Sequence, residues 1–419
     1  MRSSLTGLTT LALTAAGAVL VSPGAADAHI AAPAATGASS FALAANGFGT
    51  RVSGGDLPAG SDETAFAVLG CTNKVGLHRE NSEASQVVPG LGVVKGVKTR
   101  VWTVRKGNVV SSYSRHTVAS LTLVDTPLGK LKVEAIKSLS RAFHNARGFH
   151  ATTSTSIGSI SFDPVSGPET QLRVPTPDRP LVVPGVASIS IGSSTRSHDA
   201  SGARARANAL DIRVIPLGTR ARVANTKAQI SGGVKSGVFG GWSAGTKATG
   251  LADTLHSGKT PLLIMPCQGT KGQVVRRSVA SVDLGSLTVR GATTAQRAAA
   301  TMSRASGYEQ GRIASINLGD GALVVKAITA RANVSRTAHG VVRTAKGTSI
   351  GAIVVDGETV ALPASGNLTI PGVASLQTRV VKRTTSGISV VALRLTVLDG
   401  TGAVVDLGQA SMKVRPSGL

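Results

Sequence analysis

Along most of the chain, apolar residues recur at every second position. Ala119, Leu121 and Leu123 alternate with other residues, as do Ala187, Ile189 and Ile191, then Leu210, Ile212 and Val214, and Leu393, Leu395 and Val397. Period two is the repeat of a half-buried β-strand, whose side chains point alternately to core and solvent. Thr, Ser and Val fill these runs, and Gly, Pro, Asn and Asp punctuate them, which predicts many strands joined by turns. The expected class is all-β, built as a sandwich or a barrel-like closed sheet. A solenoid would need a regular repeat of roughly 20–30 residues, and none underlies the pattern.

A longer repeat does. Val118-Ala119-Ser120-Leu121 matches Ile313-Ala314-Ser315-Ile316, and Val133-Glu134-Ala135-Ile136 matches Val325-Lys326-Ala327-Ile328. Ser156 to Ile160 matches Ser349 to Ile353, Pro184 to Ser188 matches Pro371 to Ser375, and Leu210 to Val214 matches Leu393 to Val397. The offsets, 195, 192, 193, 187 and 183, drift slightly while the order is kept. Loop-length changes in a duplicated domain produce that drift. Two copies of one β-rich unit are therefore expected, over 46–233 and 234–414, each long enough to bury its own core.

The repeat overrides one local signal. Ala292 to Met302 (ATTAQRAAATM) has helix propensity. It aligns with Val97 to Gly107, where Val101-Trp102-Thr103-Val104 is strand-like, so a strand is expected there too.

The N-terminus reads as an export signal. Met1-Arg2 is a short basic start, Leu5 to Val21 is apolar, and Ala26-Asp27-Ala28 is a small-residue cleavage pattern. Residues 1–28 are expected to be removed, 29–45 to form a flexible Ala/Pro/Ser-rich lead, and 415–419 a short tail. No long apolar stretch follows, so a secreted, extracellular protein without a membrane span or C-terminal anchor is expected.

Charge adds a partner class. Lys plus Arg number 45 against 21 Asp plus Glu, a net charge of +24 that removal of 1–28 leaves unchanged. Such a chain is drawn to polyanions, here anionic cell-envelope polymers. Charged residues are only 16% of the chain and apolar ones 42%, a globular balance. The denser spots, Arg141 to Arg147, Arg204 with Arg206, Arg276-Arg277, and Arg379 with Lys382-Arg383, read individually as solvated faces. Aromatic residues number 11 and are scattered in sequence, with Trp102 and Trp242 far apart. That disfavours sugar-stacking and single-strand nucleic-acid platforms.

Cys71 and Cys267 fall at matching places in the two copies. An exported protein with two cysteines usually pairs them, and pairing would bring equivalent positions into contact about an approximate two-fold axis. The absence of a C-x-x-C excludes a redox-active dithiol and a zinc ribbon.

Phe48-Gly49-Thr50-Arg51-Val52, Cys71-Thr72 with Val75-Gly76-Leu77, and Pro266-Cys267-Gln268-Gly269-Thr270 resemble the actinobacterial choice-of-anchor P family. The resemblance implies an exported protein and assigns no biochemical activity. Leu362-Pro363-Ala364-Ser365-Gly366 is similar to a sortase site, but no hydrophobic stretch and basic tail follow, so a turn between strands is expected.

Three chemical lookalikes remain. Gly241-Trp242-Ser243-Ala244-Gly245 fits the nucleophile elbow G-x-S-x-G, and Asp253 and His256 follow. That motif works on a strand-to-helix turn of an α/β sheet, and no α/β alternation surrounds it. Ser243 is expected in a turn or at a strand start. Cleavage after Ala28 would expose His29, an N-terminal histidine able to chelate copper, but no second histidine is placed beside it. His144 and His150 are close in sequence without an evident third ligand. No catalytic, metal or cofactor site is expected, and the leading expectation is a non-catalytic extracellular or surface-associated protein with a binding or structural role. A secreted enzyme, either a serine hydrolase at Ser243 or a copper protein at His29, is the alternative.

Overall fold

A computed structural model of the chain describes residues 37–55, 61, 63–123, 128–251, 255–284, 286–398, 400 and 402–418. The alternating pattern becomes strand almost everywhere. The first copy holds β1 (Ala38–Gly54), β2 (Ala67–Lys74), β3 (His78–Val88), β4 (Gly92–Lys106), β5 (Val109–Leu123), β6 (Gly129–Asn145) and β7 (Gly148–Ser156). It continues with β8 (Ser159–Pro164), β9 (Thr170–Leu172), β10 (Leu181–Val183), β11 (Ala187–Ile191), β12 (Ser194–Asp199), β13 (Gly202–Val214) and β14 (Thr219–Ser231). The second copy holds β15 (Gly237–Leu251), β16 (Leu255–Ile264), β17 (Val275–Asp283), β18 (Leu287–Ala300), β19 (Ala305–Leu318), β20 (Leu323–Thr337) and β21 (Gly340–Thr344). It ends with β22 (Ile353–Val355), β23 (Glu358–Val360), β24 (Asn367–Ile370), β25 (Ala374–Thr384), β26 (Gly387–Val397) and β27 (Val404–Pro416).

These strands form four antiparallel sheets, two per copy. In the first copy the orders are β10-β11-β13-β14-β1-β2, with β12 on β13, and β3-β4-β5-β6-β8-β9, with β7 on β6. In the second they are β24-β25-β26-β27-β15-β16 and β17-β18-β19-β20-β22-β23, with β21 on β20. The two topologies match strand for strand, except that β25 runs unbroken where the first copy has β11 and β12.

Each pair of sheets packs face to face as a sandwich. Leu121, Leu131, Ile136 and Ile160 meet Ile189, Leu210 and Ile212 in the first core, and Ile313, Val325 and Ile328 meet Leu393, Leu395 and Leu407 in the second. Burying each such side chain stabilises by about 1.5–3 kcal/mol, enough to fix which face of each strand turns inward.

The copies also share their irregularities. Ala135 (φ 52°) and Ala327 (φ 55°) occupy the left-handed region at matched interruptions of the β5–β6 and β19–β20 pairings, where the register is kept. Beside them, Gly96 (φ 59°) and Gly291 (φ 60°) are matched too. A Cβ on Gly96 would meet the Ala119 Cβ at 2.6 Å, and one on Gly291 the Ala314 Cβ at 2.8 Å. Only small residues fit along this row, which explains why the V-A-S-L and V-E-A-I motifs recur.

The Ala292–Met302 segment lies almost wholly in β18, as the repeat predicts and against its helix propensity. Thr294 and Gln296 point inward there while Arg297 points out, a two-residue alternation that a helix could not reconcile with both neighbours. Gly366 N donates to Pro363 O at 2.9 Å, so the Leu362–Gly366 segment is a turn before β24. The stretch expected as a flexible lead needs correction, because β1 begins at Ala38. Ala42 and Leu43 are fully buried there, so an Ala/Ser-rich composition reflects close packing and not a linker. Likewise, Arg415 and Pro416 close β27 instead of forming a tail. The leader expected over 1–28, His29 and Asp253 lie outside the described residues.

Cys71 and Cys267 are disulfide-bonded, with Cα atoms 5.1 Å apart. Ala42 and Val238, related by the same 196-residue separation, pack beside the bond with Ala44 and Val234. Equivalent positions touching one another are the mark of an approximate two-fold relation. Around this contact Arg415 Nη1 donates to Cys71 O at 2.7 Å, Asn73 Nδ2 to Ser417 O, and Val234 N to Ser40 O at 3.3 Å.

Candidate functional site: basic outer faces

Ser243 lies within β15, not at a turn, and points into the second sandwich with no solvent exposure. Its Oγ and both carboxylate oxygens of Glu309 lack hydrogen-bond partners, as do Gln296 Oε1 and Thr294 Oγ1. Glu309 pairs directly across with Gln296. Burial pushes its carboxyl up to about 9, moderated by the nearby Ser243 hydroxyl. Glu309 is therefore a neutral acid at pH 7, and a hydroxyl sealed beside it has neither a base nor a route to substrate. The strand geometry also lacks the exposed turn that an elbow serine needs.

The first sandwich holds a comparable polar layer. His116 is fully buried, its Nδ1 is 2.6 Å from Thr99 Oγ1, and burial holds its imidazole down at about 3. Asn225 Nδ2 donates to Asn208 Oδ1, and Thr226 Oγ1 lies 2.7 Å from Ser138 Oγ and 2.9 Å from Ser140 Oγ.

The aromatic residues are less scattered in space than in sequence. Trp102 and Tyr113 stack across β4 and β5, centroids 4.7 Å apart and planes at 3°. Arg141 lies over Tyr113 and Phe143, and His150 stacks on Phe143. Faces already stacked on one another form a cross-strand brace, not a landing surface for a flat ligand. Trp242 sits apart under the Lys259 ammonium, 4.4 Å from its ring. His144 packs against Phe41 and Phe149, whereas His150 faces His198 at 6.0 Å and Asn145 Oδ1 at 3.0 Å. Among the described residues, no three His, Cys, Asp or Glu side chains converge in a way that could hold a metal ion.

What the outer faces do concentrate is positive charge. On the second sandwich, a groove of about 500 Å³ crosses β18 to β21. Arg297, Arg304 and Arg331 line it. Their Nε atoms donate to Gly272 O, Ser335 Oγ and Asn333 Oδ1, all neutral acceptors, and Arg331 also lies over the Tyr308 ring. Among the described residues, no Asp or Glu lines this groove. The strand pattern explains the segregation: Gln296, Ala298 and Glu309 turn inward, so Arg297 and Tyr308 must turn out as cross-strand partners.

On the first sandwich, the outer face of β13, β14 and β1 sets cations directly opposite cations. Arg206 pairs with Lys227, Arg213 with Arg220, and Arg222 with Arg51. Burial lowers the Lys227 pKa most, and Arg206 lowers it further. Two acids offset part of this charge: Asp211 lies on the same face directly opposite Arg222, and Glu63 is 3.5 Å from Arg51. The sequence singled out Arg204 with Arg206 but not their partners on β14.

No helix among the described residues is long and apolar enough to cross a membrane. Compared with known proteins, the sequence matches no protein-family model and no curated protein.

Proposed function

We propose that the chain is a non-catalytic protein of the cell exterior that holds anionic envelope polymer through its basic surface. The observation carrying this reading is the groove of Arg297, Arg304 and Arg331, whose guanidinium groups meet only neutral acceptors and leave their charge to an incoming anion. Arginine is suited to the task, since its fork matches the oxygens of a phosphate or carboxylate. Burial of Ser243 beside a neutral Glu309 supports a binding role over a hydrolase. Export, and membership of the choice-of-anchor P family, belong to the same reading and rest on the sequence.

Retention of the purified chain on isolated cell wall, teichoic acid, chitin and DNA tests it. Strong retention on wall and teichoic acid at low salt, with none on chitin, is expected. Retention on chitin alone, or on none of the four, would sink the reading.

A further inference from the structure

We infer that the outer face of β13, β14 and β1 is the main docking surface for a base-free phosphodiester polymer, ahead of the groove on the second copy. The inference rests on the polymer-binding reading above and gives the larger share of it to one face of the first copy. Its basis is an internal comparison that the duplication supplies.

Like charges directly opposite on adjacent strands repel, so a fold under no other demand avoids them. The first copy nevertheless has two such pairs on one face with no acid opposite, Arg206 with Lys227 and Arg213 with Arg220. In a third, Arg222 with Arg51, Arg222 also faces Asp211 on β13 and Arg51 lies 3.5 Å from Glu63. The matching positions of the second copy follow from the Leu210/Leu393 motif. They follow also from the matched left-handed residues Ala224 (φ 55°) and Gly408 (φ 61°) in β14 and β27. There Arg206 and Lys227 become Ser389 and Ser411, paired in register, with their hydroxyls 2.8 Å apart. Arg213 and Arg220 become Thr396 and Val404, again opposite one another. Arg222 and Arg51 become Asp406 and Lys247, a pair of opposite sign, and Asp406 also takes a bidentate contact from Arg394 at 2.7 and 3.1 Å.

The same fold therefore forms with neutral pairs at the first two places, while at the third both copies set an Arg opposite an Asp, Arg222 with Asp211 and Arg394 with Asp406. Repulsion in the first copy is not demanded by topology, packing or turn geometry, all of which the copies share. It is explained by a ligand whose negative charge offsets it. The paired cation positions carry no aromatic side chain and Phe48 of β1 is buried, so nucleobases would find little among them to stack on. A flexible polyol phosphate chain needs only a run of cations at strand spacing.

The test exchanges residues between the copies in the full chain. Arg206→Ser with Lys227→Ser, and Arg213→Thr with Arg220→Val, install the second copy's own pairs. Binding is measured with soluble poly(glycerol phosphate) at low ionic strength, and folding by thermal melting. The four-residue exchange should melt at the same or a higher temperature while binding weakens on the order of tenfold. Arg297→Ala with Arg331→Ala in the groove should weaken binding less. Binding unchanged by the exchange, or lost more through the groove variants, overturns the assignment and leaves the polymer-binding reading intact. No binding of the polymer by the unaltered chain overturns both. An oligonucleotide of equal charge that binds more tightly than the polymer would reassign the face to nucleic acid. A fall in melting temperature on exchange would show that the cations serve the fold.

Discussion

Stability is expected to be greatest on a plateau at about pH 4.5–6.5 and to fall on both sides, because two buried groups titrate in opposite senses. Glu309 carries its proton in the folded chain up to about pH 9 but releases it near 4.5 when unfolded. Its folded pKa is raised, so its contribution is complete below pH 4.5 and is lost as pH rises toward 9. His116 is the reverse: it stays neutral when folded down to about pH 3 but protonates near 6.5 when unfolded. Its folded pKa is depressed, so its contribution is complete above pH 6.5 and is lost as pH falls toward 3. Between the two unfolded values the slopes cancel. Outside them each is about 1.4 kcal/mol per pH unit. Glu309→Gln should flatten the alkaline limb and uncover a stability that rises with pH between 4.5 and 6.5. His116→Gln should remove that rise. Chemical denaturation at a series of pH values reads both, and an alkaline limb that survives Glu309→Gln would show that the buried Glu309 carboxyl is not its source.

Breaking the Cys71–Cys267 bond is the second large effect. The bond closes a loop spanning 196 positions, and crosslinks over loops of this size stabilise by about 2–5 kcal/mol. Each sandwich has its own apolar core, so reduction should act on their association more than on either fold. Cys71→Ser with Cys267→Ser is expected to lower the first melting transition and to split one transition into two. A non-reducing peptide map of the purified chain should contain one peptide joining Cys71 to Cys267. Two free thiols in that map would remove the bond and its share of the contact between copies.

Much of the architecture was legible in the sequence because both of its periods are strong. Period two gave strands even over Ala292–Met302, where propensity alone favours helix, since the aligned Val97–Gly107 segment settled the matter. The matched cysteines showed where the copies meet. The start of β1 was not legible, because Ala38 to Ala45 has the composition of a linker and is ordered only by packing against β14 and β2. The buried Glu309 was missed for a similar reason: a lone glutamate in a strand reads as a solvent-facing position until the inward set is known. The basic face left a trace in R-A-R-A at 204–207 and R-A-R at 220–222, alternating cations on two strands of one hairpin. Their opposition depends on the register of β13 with β14, which no local pattern states. The stack of Trp102 on Tyr113, with Arg141 over Tyr113 and Phe143, likewise exists only once β4 to β6 are aligned.

Binding by charge is the central claim, and a salt titration of the full chain on poly(glycerol phosphate) tests it most directly. The affinity should fall steeply and steadily as salt rises, since each cation that meets a phosphate displaces a counterion. Most of it should be gone a little above physiological ionic strength, where exposed charges act over only about 8 Å. An affinity that holds its low-salt value into concentrated salt would contradict the claim and point to a shaped, uncharged site.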